Sequence, residues 1–321
     1  MNFSKLFAPA LLAGCAIAWS GSLNAAEPFT AETGQQASRI TLKYRGRPAM
    51  VYEFAPDKYK PYVRELYSTT GVNLLQDSPH DHLHHHALMY GIKVNGENFW
   101  EELSGAGVQR VVSTSTPQYG KSRSGLPQAV IRQELVWIPA ADAFLPLSNC
   151  APLLVEHRTI TLTIDEKASE VALLWGGSFQ VGSRTNTVSL TGANYHGLGM
   201  RFQEHLDAHA VHISPEGRVN LAGSRQDTTV FPWEAVTFNT PGKPATIAVF
   251  GAPSNGRGAP RFFAMATPFA YLAATQTLDK EPLVYHTGDS FELSYLVTLY
   301  PEIKSGESLQ ARSRIFSTSN N

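Results

Sequence analysis

The chain holds only two cysteines, Cys15 and Cys150, in 321 residues. Cys15 lies inside an apolar N-terminal run, so Cys150 has no intramolecular partner. A disulfide scaffold is thereby excluded, and stability must come from a buried core. Cys150 itself reads as a small hydrophobe rather than a nucleophile. Charge is also scarce: 17% of residues are Asp, Glu, Lys or Arg, below the usual quarter, and the net charge is −1. No basic stripe exists, which argues against a nucleic-acid partner. Beyond the N-terminal run no stretch of about eighteen apolar residues occurs, so no transmembrane span is expected. A phosphate loop, a dinucleotide fingerprint and a G-x-S-x-G elbow are missing too, which disfavours nucleotide cofactors and serine-hydrolase chemistry. There is no long stretch of 3.6-residue periodicity, no internal repeat and no linker rich in Gly, Ser or Pro.

What is present begins with an export signal. Met1 to Lys5 carries a positive charge, Leu6 to Trp19 is apolar, and the small residues Ala25 and Ala26 precede the polar Glu27. Two processing routes are open. Cleavage near residue 26 releases a mature chain, whereas Leu12-Ala13-Gly14-Cys15 resembles a lipobox whose Cys15 would carry a lipid anchor. The expected organisation is a signal over 1–26 and one β-sandwich domain over 27–321, exported to the periplasm or the extracellular space. Runs of β-branched and alternating apolar residues mark strands at 39–44, 49–54, 129–137, 153–164, 170–175, 245–251 and 290–300. Asn95-Gly96 between two such runs marks a hairpin, because this pair tolerates the positive φ angles of a type I′ turn. Residues 59–67 fit either a short helix or an extended edge. Many strands with few helices predict an all-β fold, a large two-sheet antiparallel sandwich.

Five of the eleven histidines fall within residues 78–86, Ser-Pro-His-Asp-His-Leu-His-His-His. In an extended chain His80, His82, His84 and His86 would share one face, with Asp81 and His85 on the other. Three readings stay open. His82 and His84, as His-x-His, fit two ligands of a divalent transition metal. Alternatively the cluster serves acid–base catalysis, with Asp81 orienting a ring and fixing its tautomer. The third reading is a polar loop without chemistry.

Residues 60–103 resemble the family known as PmoA-like methane oxygenase, whose members carry D-H-P-H-H-R-G-L followed by V-N-G-x-D-F-W. Here the segments read Asp81-His82-Leu83-His84-His85-His86-Ala87-Leu88 and Val94-Asn95-Gly96-Glu97-Asn98-Phe99-Trp100. The resemblance continues in Glu156-His157-Arg158, Gly197-Leu198-Gly199-Met200-Arg201, Pro253-Ser254-Asn255-Gly256-Arg257 and Thr267-Pro268-Phe269. The sequence departs from the pattern at His86 and Ala87, where the family carries Arg and Gly. It departs again at residues 261–265, where the family carries Trp-His and a later Arg. The family is similar to the galactose-mutarotase-like supersandwich, a fold that hosts epimerases, polysaccharide lyases and glycosidase domains. That resemblance implies a carbohydrate-active protein with a small-molecule or oligosaccharide substrate.

It also implies an acid and a base facing one sugar, and His82, His84 and His85 with Glu204 are the candidates. Candidate substrate-binding residues are Asp81, Trp100, His196, Arg201 and Asn255. For Trp100, Trp175 and Tyr195 core packing is the alternative, and for Arg201 a structural salt bridge. His205, His209 and His212 read as surface positions. A metal-dependent oxygenase or hydrolase and a non-catalytic glycan-binding module remain alternative functions, and the oligomeric state is open.

Overall fold

A computed structural model describes residues 27–34, 38–221 and 229–319. The segment 1–26 expected to be an export signal, with Cys15, lies outside the described residues. Among those described, a nine-stranded antiparallel sheet runs in spatial order Phe29–Thr33, Arg39–Tyr44, Arg47–Glu53, Tyr62–Leu66, Leu88–Gly91, Gly197–Arg201, Tyr271–Thr275, Arg261–Met265 and Thr229–Val230. A ten-stranded antiparallel sheet is built around Ser290–Tyr300, Glu170–Val181, Leu154–Asp165 and Pro127–Ile138. A four-stranded sheet adds Leu283–His286, Thr187–Thr191 and the hairpin Lys93–Val94 and Glu97–Asn98. At the hairpin tip Asn95 and Gly96 both have positive φ, 52° and 84°, as a type I′ turn requires.

The pleat explains how this sandwich is held together. Successive side chains point to opposite faces of a strand. In the nine-stranded sheet Val63, Leu88, Tyr90, Leu198, Met200, Leu272 and Ala274 face inward. There they pack in one cluster with Ala129, Ile131, Leu162 and Leu173 of the ten-stranded sheet. Their neighbours Tyr62, Met89, Phe263, Met265, Tyr271 and Ala273 face outward into a second cluster. Tyr62–Leu66 is thus a paired interior strand of the sheet, neither a helix nor an edge.

One polar group crosses the interior. Arg158 and Glu156 are both buried, and the guanidinium forks onto the carboxylate at 2.6 and 2.9 Å. Gln109 and the Pro61 carbonyl take further Arg158 N–H groups, Trp137 donates to Glu156, and Trp175 lies 4.7 Å beneath the guanidinium. Trp175 is therefore core, as its alternative reading held.

Two expectations need correction. A C-terminal helix, Gly306–Ser319, was not expected; it lays Leu309 and Phe316 on the outer face of the ten-stranded sheet, against Trp233, Phe250 and Tyr300. Its apolar stripe is only those two residues with Ser313 between them, too thin to stand out as 3.6-residue periodicity. His212 is not at the surface. It is buried, with Nδ1 3.8 Å from the equally buried Glu234 carboxylate.

Candidate functional site

The histidine segment is not extended. Asp77 and His86 form an isolated bridge that closes the base of a loop, while His82 N donates to Pro79 O and His85 N to His82 O in two consecutive tight turns. Backbone bonds on either side of the loop, Gln76 N to Arg201 O and Arg201 N to Ala87 O, stitch it across the end of the strand Gly197–Arg201. These turns break the expected alternation. His82, His84 and His85 converge on one cavity, and His86 points elsewhere.

That cavity, of about 230 Å³, lies on the outward face of the nine-stranded sheet. His82, His84, His85, Glu101, Tyr195, Phe263, Met265, Phe269 and Tyr271 line it. The strand residues reach it because the pleat aims Phe263, Met265 and Tyr271 away from the sandwich core. Gly199 is what admits Tyr271: a Cβ there would stand 2.1 Å from the Tyr271 hydroxyl and 2.6 Å from the Trp100 ring. The glycine of Gly197-Leu198-Gly199 thus serves a close side-chain approach.

The imidazoles differ in character. His82 is half-exposed, with Nδ1 3.1 Å from Asp81 Oδ2. The Asp81 carboxylate also receives the Arg201 guanidinium at 3.2 Å on both oxygens. Burial opposes ionisation of Asp81, but His82 and Arg201 outweigh it and hold the carboxyl below its ordinary range. His85 is stacked between the rings of His82 and Tyr271, at centroid distances of 4.7 and 5.7 Å. Burial, reinforced by His84 and His82, pushes its pKa down to about 2, so it is neutral. Burial and the Lys60 charge lower His84 as well. Glu101 faces them as a carboxylate. Burial would raise its pKa, but His196 and Asn98 hold it well below the ordinary range.

Beneath the cavity runs a buried ionic chain. His86 Nδ1 meets Asp77 at 2.7 Å, its Nε2 meets Glu102 at 2.8 Å, and Lys60 reaches Glu102 at 2.7 Å and the Trp100 carbonyl at 3.0 Å. Burial would lower the pKa of His86, but the two carboxylates raise it, so the ring is an imidazolium. His86, standing where the resembled family carries Arg, is a cation between two acids.

Other predicted residues are placed as follows. Arg201 is buried over the Phe269 ring, its carbon 3.5 Å from the centroid, and its salt bridge to Asp81 is the structural alternative raised for it. Trp100 and His196 are buried below the cavity and stacked on each other at 5.1 Å; neither lines it. Asn255 is buried in a turn, where its amide exchanges two hydrogen bonds with the Ser294 backbone. Glu204 does not face the histidines. It opens a short 3-10 helix, Glu204–His209, and lines a separate cleft with Arg64, Glu65 and Asp77. The carboxylate in the histidine cavity is instead Glu101. It lies directly after the Phe99-Trp100 pair, but an acidic residue there carries no period or spacing that sets it apart.

The donor set for a metal is incomplete. Among the described residues no three His, Cys, Asp or Glu side chains are grouped to hold an ion, and His82 and His84 meet edge-to-face at 5.7 Å.

Residues 39–314 match a family described as of unknown function, DUF6807. The chain belongs to this family. No curated protein matches its sequence. Solved structures resemble the DUF6807 protein in fold. The galactosidase domain of an α-galactosidase–sucrose kinase aligns with a TM-score of 0.50 at 11% identity, covering 88% of this chain and 43% of that one. The α-galactosidase of Lactobacillus brevis aligns at 0.45 and 7%, covering 87% and 40%. That of Geobacillus stearothermophilus, in complex with 1-deoxygalactonojirimycin, aligns at 0.42 and 13%, covering 84% and 39%. The DUF6807 chain thus spans less than half the length of these enzymes, and at such identities the first likeness speaks for the sandwich alone.

Proposed function

We propose that this protein is an exported, carbohydrate-active member of the galactose-mutarotase-like sandwiches, as its PmoA-like sequence pattern implies. Its cavity would bind one sugar ring and move a proton on it. The observation that carries this reading is the convergence of His82, His84 and His85 with Glu101 inside aromatic walls. Aromatic and thioether side chains suit the apolar face of a sugar, while imidazoles and a carboxylate suit its hydroxyls.

His82 takes the acid–base role. His82 Nδ1 stands 3.1 Å from Asp81 Oδ2 without the alignment of a hydrogen bond. The carboxylate therefore acts through its charge, balancing the imidazolium formed when the ring accepts a proton. Arg201 keeps Asp81 ionised for that purpose. His84, edge-to-face with His82, and Glu101 then accept hydrogen bonds from ring hydroxyls.

The test incubates the protein with glucose, galactose and nitrophenyl glycosides, following anomer exchange by polarimetry and hydrolysis by absorbance. For the sugar that turns over, His82→Ala should lower the rate at least ~100-fold. Undiminished turnover in both His82→Ala and His84→Ala overturns the assignment. Sugar that binds and is recovered unmodified makes the protein a glycan-binding module instead. Export is read from the N-terminal pattern alone, and the intact mass of the mature chain decides between cleavage near residue 26 and lipidation at Cys15.

A further inference from the structure

The charges around the cavity pair off with one exception. Asp81 is matched by Arg201, Asp77 by His86, and Glu102 by His86 and Lys60. Glu101 has no Lys or Arg within ion-pair distance; the Lys60 charge reaches it only from its pairing with Glu102. The Tyr195 hydroxyl donates to it at 3.2 Å, the Asn98 amide donates to its other oxygen, and His196 Nε2 stands 3.7 Å away. Burial lowers the His196 pKa more than Glu101 raises it. Among the described residues no Lys or Arg lines the cavity, and its remaining walls are Tyr195, Phe263, Met265, Phe269, Tyr271 and the imidazoles of His82, His84 and His85.

A half-buried carboxylate without a counter-ion is costly, and proteins ordinarily meet such a charge with a partner. Aromatic faces also attract cations, because the ring quadrupole is negative above its plane. A carboxylate set in an aromatic enclosure is therefore a cation site, and it repels carboxylates, phosphates and sulfates.

We infer that the cavity selects a positively charged ligand, an amino sugar with a free ammonium group, whose nitrogen meets Glu101 while its ring lies against the aromatic walls. The inference rests on the carbohydrate reading above and narrows it: uronic acids and sugar phosphates are excluded, and neutral sugars bind weakly.

Calorimetric titration of the full chain tests this with glucosamine and galactosamine, their N-acetyl derivatives, glucose, galactose and glucuronate. Choline serves as an ammonium compound that is not a sugar. The amino sugars should bind about tenfold or more tightly than their neutral parents, a difference of about 1.4 kcal/mol. Glucuronate should give no heat. Glu101→Gln should bring amino and neutral sugars to the same affinity. The comparison among ligands uses the unaltered protein, so it holds even if that variant folds poorly.

Equal affinity for amino and neutral sugars overturns the cation inference and leaves the carbohydrate reading standing. Binding of choline without any sugar supports the cation site and removes the carbohydrate reading. No binding by any ammonium ligand at millimolar concentration, or a preference for glucuronate, also overturns the inference.

Discussion

The Arg158–Glu156 pair offers the sharpest test of how the sandwich is held together. Glu156→Gln leaves the shape of the side chain and removes its charge, so the guanidinium stays buried without a counter-ion. Breaking a buried pair in this way costs about 3–5 kcal/mol. The unfolding entropy of a chain this long is about 0.6 kcal/mol/K, so Tm should fall by roughly 5–8 °C. Arg158→Met should be destabilising too, since it orphans the carboxylate along with Gln109 and the Pro61 carbonyl. The double mutant removes both charges together. If the two side chains act as a unit, its cost falls short of the summed single costs by at least about 2 kcal/mol. Urea unfolding of the four proteins, read by tryptophan fluorescence, measures this coupling. Additivity within about 0.5 kcal/mol would refute the reasoning, because the two side chains would then be independent.

Two further outcomes follow from the titrating groups. His212 is held down to about 4 by burial, below the ordinary histidine value of 6.5. The unfolded chain therefore takes up a proton that the folded one refuses, and stability is lost as pH falls from about 6.5 towards 4. One such group contributes a slope of about 1.4 kcal/mol per pH unit. Glu234 beside it, raised by burial to about 8, gives a slope of opposite sign between about 4.5 and 8. His212→Gln should therefore shift the slope of unfolding free energy against pH by that amount towards the Glu234 contribution; an unchanged slope sinks the assignment. His86 has the opposite sign: its folded pKa is raised, so its contribution is full below 6.5 and fades as pH climbs through the raised value. At pH 6, His86→Leu should cost about 1–3 kcal/mol by taking the cation from between Asp77, which keeps Tyr62 and Arg64, and Glu102, which keeps Lys60, and His86→Arg should recover most of it. An Arg variant as unstable as the Leu variant would show that the imidazolium is not what joins the two acids.

Much of the architecture was legible in the chain. The expected strands at 39–44, 245–251 and 290–300 coincide with Arg39–Tyr44, Ala245–Gly251 and Ser290–Tyr300, and Asn95-Gly96 turns as its φ preference dictates. Alternation and turn chemistry are local, so they survive without knowledge of the fold. The site was legible only in part. The concentration of histidines pointed to the loop, and Asp81 does stand beside His82 as its spacing allowed. Which rings meet was hidden, because it depends on two tight turns inside a segment that looked extended. Glu101 was hidden for another reason. It enters the cavity through the pairing of distant strands, and nothing in the neighbouring residues records that. Glu204 drew attention as an acid beside Arg201, but the backbone turns into a 3-10 helix there and carries the carboxylate to another cleft.

The outward placement of the cavity also bears on how this fold diversifies. In Tyr271–Thr275 and Arg261–Met265, one set of alternate residues builds the sandwich and the other set contributes to the cavity wall. The two sets share a backbone but not a packing environment. Substitutions can therefore accumulate at positions such as Phe263, Met265 and Tyr271 and reshape what is bound, while the inward set keeps the sheets together. A lineage with this arrangement can change ligand many times on one unchanged scaffold, recording its history in every second residue of a few strands.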